Sequence, residues 1–263
     1  MQSPPEIAHD LLHRDRGHLH RFLPQVVEEH AAQVALAETG QNDHDQFAGI
    51  FGTLPDFDSG VHRRAGGDAH ALAQVATFAT ESAIPIANFQ KAINDLLPVS
   101  VRVLAVEEVE AEFHARKSAK RKTYRYRIYR GGVCPPFLAR YVSHFPYPLD
   151  EAAMARAAKQ VEGEHDFTSF AAVDPERGVE EGRSNVRTIF SSAWERSGDE
   201  FVYSVQGSGF LHHMVRNLVG TFLLVGKGTL AVEDVGRILD ACKRSEAGAT
   251  APASGLFLVN VEY

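Results

Sequence analysis

The stretch Gly207-Ser-Gly-Phe-Leu-His-His-Met-Val-Arg-Asn-Leu-Val-Gly220 constrains this chain more than any other. A strand-like run, Phe201 to Gln206, leads into it and a long apolar helix leaves it. Between Phe210 and Val225 the residues Phe210, Leu211, Met214, Val215, Leu218, Val219, Phe222 and Leu223 recur at helical steps and predict one broad buried face. Ser208 and Gly209 allow a helix start, and Gly226 with Gly228 gives a stop where positive φ is tolerated. Arg216 and His212 fall on the other side of that helix. An arginine in the second turn sits near the positive end of the helix dipole and gains nothing from it, so Arg216 is expected to find an anionic partner elsewhere in the fold.

Charge and composition narrow what such a fold can do. A chain of 263 residues with 44% hydrophobic content can bury a core and suits one large or two medium domains. No run approaches the roughly 18 apolar residues of a membrane span. The start, Met1-Gln-Ser-Pro-Pro-Glu6, lacks the basic and apolar regions of a secretion signal, so a cytosolic protein without a membrane partner is expected. Cys134 and Cys242 form no metal-ligand spacing and fit a reducing compartment. The net charge of −7 argues against indiscriminate polyanion binding, so any nucleic-acid surface must be local.

Residues 1 to 68 read unlike the rest. No lysine occurs in the first 90 residues, and seven of the 13 histidines precede residue 63. A weak apolar stripe of Val26, Val27, Ala31, Val34, Leu36 and Ala37 predicts a helix from Pro24 to Glu38. The histidines offer no pair spaced with a carboxylate on a clear helix, so no metal site is expected there. A solvated, poorly ordered segment, or a misread one, matches this composition.

From His70 the chain changes character. His70 to Phe78 is strand-like, and Ile86 to Leu97 predicts a short helix with Phe89, Ala92, Ile93 and Leu96 on one face, ended by Pro98. Val101 to Val109 alternates as a strand. Further on come a loop from Cys134 to Arg140, a helix from Leu149 to Val161, a loop from Gly163 to Phe170 and an exposed loop from Asp174 to Arg183. Asn185 to Phe190 with Trp194, and Phe201 to Val205, form an antiparallel pair. A helix from Val232 to Lys243 and a strand from Gly255 to Tyr263 close the chain.

The chemistry concentrates in Phe113-His-Ala-Arg-Lys-Ser-Ala-Lys-Arg-Lys-Thr-Tyr-Arg-Tyr-Arg-Ile-Tyr129. Seven basic residues and no acidic one lie between Arg116 and Arg127, a positive patch on a negative protein. Strand alternation puts Tyr124, Tyr126 and Ile128 on one face and Arg125 and Arg127 on the other. Lys and Arg neutralise phosphates, and an aromatic ring stacks on an unpaired base for roughly 1–3 kcal/mol, which points to RNA. The same letters also describe the charged outer face of a sheet with tyrosines in its core.

Three of these motifs, Phe210-Leu-His-His-Met-Val-Arg-Asn217, Phe113-His-Ala-Arg with its Tyr-x-Tyr strand, and Arg187-Thr-Ile189, occur in that form and order in one family. Over residues 69 to 263 the chain closely resembles the tRNA pseudouridine synthase A family, which also shares Asn94-Asp-Leu-Leu-Pro98 and the loop Gly163 to Phe170. The resemblance implies an α+β pseudouridine synthase fold of two related halves, residues 1–105 and 106–263. Each half is then a mostly antiparallel sheet with helices on one face, with the active site in the cleft between them. It implies a homodimer that isomerises uridine to pseudouridine in the anticodon stem-loop of tRNA without cofactor or metal. Arg216 then pairs with the catalytic aspartate, and Tyr124 packs on the target uracil and assists proton transfer. Substrate contacts are expected from Tyr124, Arg116, Arg125, Arg127, His212 and His213.

Two departures stand out. Lys117 replaces the family's phenylalanine, so the packing under that loop must differ. The family's Gly-Arg-Thr-Asp-Ala-Gly-Val-His loop is here Val61-His-Arg-Arg-Ala-Gly-Gly-Asp-Ala-His70, which puts Gly66 where the catalytic aspartate belongs and leaves Asp68 as the local nucleophile candidate. The reaction breaks the N1–C1′ bond, turns the base and joins C5 to C1′, with a carboxylate as nucleophile. An RNA-binding pseudoenzyme that keeps the basic surface and lacks the reaction is the alternative.

Overall fold

The computed structural model describes residues 30–38, 69–80, 84–97, 99–172 and 184–263. Among these, nine strands form one mixed sheet: β1 (His30–Glu38), β2 (His70–Thr80), β3 (Val101–Val109), β4 (Arg121–Tyr129), β5 (Ser143–His144), β6 (Gly163–Asp166), β7 (Val186–Ser197), β8 (Glu200–Gly207) and β9 (Leu256–Glu262). The helices are α1 (Ile86–Leu96), α2 (Pro136–Ala139), α3 (Glu151–Lys159), α4 (Met214–Gly226) and α5 (Asp234–Ala241). The order across the sheet is β3-β1-β2-β9-β4-β8-β7-β6, with β5 beside β4. The fold is the expected α+β class, and both parts of the chain share this sheet. β9 joins them, pairing parallel with β2 and antiparallel with β4.

Period-2 patterning explains the strands that matter here. In β8 every second residue, Phe201, Tyr203, Val205 and Gly207, is buried. Tyr126 and Ile128 of β4 meet them, and Trp194 of β7 stacks on Phe201 with ring centroids 4.6 Å apart. Met154, Ala157 and Ala158 of α3, Met214, Leu218, Val219 and Phe222 of α4, and Val235, Ile238 and Leu239 of α5 cover the same cluster. A smaller core sets Ile93 of α1 against Ala76 and Phe78 of β2 and Val101, Val103 and Val106 of β3. Asn94 completes it by accepting from the Val103 amide at 2.8 Å and donating to the Val103 carbonyl at 2.9 Å, which satisfies backbone groups on an outer strand.

The helix expected from Pro24 to Glu38 is not what forms over residues 30–38, which are strand β1. β1 pairs antiparallel with β2 on one side and β3 on the other. Both rows of its backbone groups are thus engaged, and pairing on two sides outweighs the weak helical stripe read from Ala31, Val34 and Leu36. Part of the segment expected to be solvated therefore enters the sheet. Gly163 to Asp166, expected as loop, pairs with β7, and Pro136 to Ala139 makes a short helix inside an expected loop.

Helix α4 meets the backbone of residues 248–251 at unusually close range. A Cβ on Gly220 would lie 1.8 Å from the Ala249 carbonyl oxygen, and one on Gly248 would lie 2.7 Å from Gly220 backbone atoms. Gly220→Ala should therefore destabilise the chain by about 3 kcal/mol or more, although alanine is the better helix former by about 1 kcal/mol. Urea unfolding of the two proteins measures this, and equal or raised stability in the variant would contradict the close approach.

Candidate active site

The β4 register sets the first part of the site. Tyr124 lies opposite Val205 of β8 and Leu258 of β9, and Tyr126 lies opposite Tyr203 and Leu256, so both tyrosines occupy the middle of the sheet. Tyr126 is fully buried, whereas Tyr124, nearer the start of the strand, is half-buried and meets the Phe210 ring edge-on at 5.0 Å. The Tyr126 hydroxyl donates to the Pro252 carbonyl at 2.8 Å, and burial pushes its pKa up to about 12. Gly255 leaves room for that ring, since a Cβ there would come within 2.8 Å of it.

Helix α4 supplies the second part. It starts at Met214, four residues later than the apolar pattern predicts, because His213 adopts a left-handed conformation with φ 58°. For a residue with a Cβ that conformation costs roughly 1–2 kcal/mol, and such strain collects at functional segments. The rings of His212 and His213 stack at 3.9 Å, and the His212 carbonyl accepts from the Ala172 amide.

Arg216, half-buried in the first turn, donates from Nε to the Ala251 carbonyl at 2.6 Å, while its own carbonyl accepts from the Ala251 amide at 3.1 Å. Burial holds the guanidinium below its usual pKa, with the neighbouring Tyr126 phenol opposing the shift. Among the described residues its terminal nitrogens have no hydrogen-bond partner and no carboxylate lies within ion-pair range, so the expected anionic partner is not among them. Arg216 and Tyr126 thus donate to successive carbonyls, Ala251 and Pro252, and Tyr124 lies two residues along β4.

The basic residues divide. Arg125 is exposed and makes no ion pair among the described residues. Arg127, on the same face, is held bidentate by Glu200 at 2.7 and 2.6 Å, and this pairing raises its pKa. Strand alternation places both arginines on the face away from Tyr124. Arg121 lies 4.9 Å over the half-exposed Phe190 ring. Arg116 sits in a turn closed by the Ser118 hydroxyl accepting from the His114 amide, and Lys117, where the family has phenylalanine, is exposed on that turn. Asp68 lies outside the described residues. Two residues on, His70 is buried between Tyr141 and Phe257, 2.9 Å from the Arg140 carbonyl.

The sequence alone did not single out Glu200, Asn217, Thr221 or Thr250. One signal was present: Asn217 and Thr221 are a polar pair four residues apart inside an apolar helix, and both are fully buried.

A family model described as tRNA pseudouridine synthase matches residues 157–263. The chain is similar to tRNA pseudouridine synthase A of Solibacter usitatus, 53% identical over 200 residues, covering 76% of this chain and 80% of that protein. It is similar to the protein of the same name from Limosilactobacillus reuteri, 43% identical over 202 residues, covering 76% and 77%. That of Halalkalibacterium halodurans is 46% identical over 187 residues, covering 71% and 69%.

The Tyr126 phenol carries a pH prediction. Its folded pKa of about 12 exceeds the unfolded value near 10, so the stabilisation is full below pH 10 and is lost as pH rises toward 12, by about 3 kcal/mol at most. Tyr126→Phe should cost about 1 kcal/mol at pH 7 through the lost bond to Pro252 and should lessen the fall in stability between pH 10 and 12. Thermal unfolding across that range checks it, and an unchanged alkaline slope would refute it.

Proposed function

This chain belongs to the tRNA pseudouridine synthase A family, and we propose that it isomerises uridine to pseudouridine in the anticodon stem-loop of tRNA, as a homodimer in the cytoplasm. The observation that carries this reading is Arg216: a half-buried guanidinium tied down through Nε, with both terminal nitrogens unpartnered among the described residues. That arrangement suits a carboxylate, which an arginine fork binds through two parallel hydrogen bonds.

In the proposed reaction a carboxylate attacks as nucleophile and forms a covalent intermediate as the N1–C1′ bond breaks; the base turns, C5 joins C1′, the carboxylate is released, and C5 gives up a proton while N1 takes one up. Arg216 keeps the carboxylate ionised. Tyr124 packs on the uracil and assists removal of the C5 proton. The isomerisation is redox-neutral and adds no atoms, so its balance requires no cofactor. We assign the nucleophile to Asp68. Leu258 of β9 lies opposite both Ala71 of β2 and Tyr124 of β4, so β2 begins on the same line across the sheet as Tyr124, two inter-strand spacings or about 10 Å away. Arg116, His212 and His213 are proposed substrate contacts, Arg125, on the sheet face away from Tyr124, is proposed to meet tRNA phosphates distant from the target uridine, and Arg127 is a weaker contact of that kind because Glu200 already neutralises it.

Tritium release from C5-labelled uridine in a tRNA transcript tests the reaction. The chain as written should release tritium, Arg216→Ala should reduce release by about 10²–10³-fold, and Asp68→Asn should abolish it while tRNA binding persists. Release that survives in Asp68→Asn refutes the nucleophile assignment, and tRNA binding without release describes an RNA-binding relative without the reaction. Arg125→Ala should flatten the salt dependence of tRNA binding by about 0.9 in log–log slope, and an unchanged slope would reduce Arg125 to a solvated sheet face.

A further inference from the structure

Next to Arg216 on α4, the fully buried Asn217 is bonded at both ends of its carboxamide. Its Nδ2 donates to the Phe170 carbonyl at 2.7 Å, and its Oδ1 accepts from the Thr250 hydroxyl at 2.6 Å and from Arg244 Nη2 at 3.0 Å. One turn later Thr221 donates to the Asn217 carbonyl at 2.9 Å and accepts from the Gly248 amide at 2.8 Å. The bare Cα of Gly220 admits the Ala249 carbonyl between these two bonds. The hydrogen bonds that tie the 244–251 segment to α4 therefore fall between Arg216 and Thr221, and the segment ends on Ala251, which bonds Arg216 in both directions.

An Nε–H held on a carbonyl fixes the plane of a guanidinium. Without that bond the group turns about its last torsions, and a terminal fork that must meet a carboxylate loses its aim. We propose that Asn217 and Thr250 are positioning residues. Through the Thr250 hydroxyl, Asn217 seats the Ala251 carbonyl on Arg216 Nε and so leaves the two terminal nitrogens as the pair that receives the catalytic carboxylate. Thr250 precedes Ala251 directly, so a slack Thr250 moves the carbonyl that Arg216 holds. A purely structural lock would not need its last residue to carry the bond to the arginine.

The kinetic arm rests on the proposed reaction, and the spectroscopic arm does not. Thr250→Val keeps the shape of the side chain and removes the hydroxyl, whereas Thr250→Ser keeps the hydroxyl. In arginine-15N-labelled protein, the Arg216 Nε–H resonance should exchange slowly with solvent in the parent and in Thr250→Ser, and should exchange about fivefold or more faster in Thr250→Val, beyond any change that the loss of global stability measured by urea unfolding accounts for. With tRNA as substrate, Thr250→Val should lower kcat about fivefold at unchanged KM, with recovery in Thr250→Ser. Equal Arg216 Nε–H protection in Thr250→Val and parent overturns the proposal whatever the activity. Lost protection in Thr250→Val in a parent that forms no pseudouridine upholds the positioning role and removes the proposed reaction instead.

Discussion

The close approach of α4 to the 248–251 backbone fixes more of this molecule than any other contact. Gly220 and Gly248 bring two backbones together where a single Cβ would collide, and the Asn217 and Thr221 side chains hydrogen-bond across the gap. The chain that leaves this seam passes Ala251 and Pro252 and enters β9 at Leu256. β9 joins β2 to β4, so the seam between helix and loop also determines where the two parts of the sheet come into register. Interiors pack too densely to absorb a shift at one such point by sliding at another.

Legibility in the sequence followed how local each feature is. The alternation of β4 and β8 and the apolar stripe of α4 depend on neighbours in the chain, and the structure keeps them within a few residues of expectation. β1 depends on partners 33 to 78 residues away, from Glu38↔Ala71 to Ala31↔Val109, and its letters, rich in alanine, carry almost no period of their own. The late start of α4 turns on the left-handed conformation of His213, which only the surrounding fold imposes. Arg216 and Tyr124 are expected site residues through the resemblance to the family, and each sits on a strongly patterned element. The carbonyls that receive Arg216 and Tyr126 were not, since Ala251 and Pro252 contribute backbone rather than side chains, and backbone acceptors have no signature in the letters.

The two arginines of β4 show how little a count of charges says about a surface. Arg125 and Arg127 share a face and a strand, yet the antiparallel register brings Glu200 to Arg127 and nothing comparable to Arg125 among the described residues. A bidentate pair leaves almost no net charge for a phosphate to neutralise, while an exposed, unpaired guanidinium keeps all of it. On a chain with a net charge of −7, the attraction for a polyanion is therefore set by which cations the fold leaves without a carboxylate.

Arg216 is the limiting case. Burial disfavours its charge, as its lowered pKa records, but an arginine does not give up its proton near neutral pH, so the fold carries a partly desolvated cation whose named partner is a neutral carbonyl. A buried charge without an opposite charge is destabilising, and substitution by an apolar side chain of similar length would relieve it. Asn217, Thr250 and Ala251 do the reverse and hold the cation where it is. Among the described residues no carboxylate offsets that charge, and a rigid, partly desolvated guanidinium is what the proposed pairing with a carboxylate would draw on, since little further water or rotational freedom would be lost on pairing.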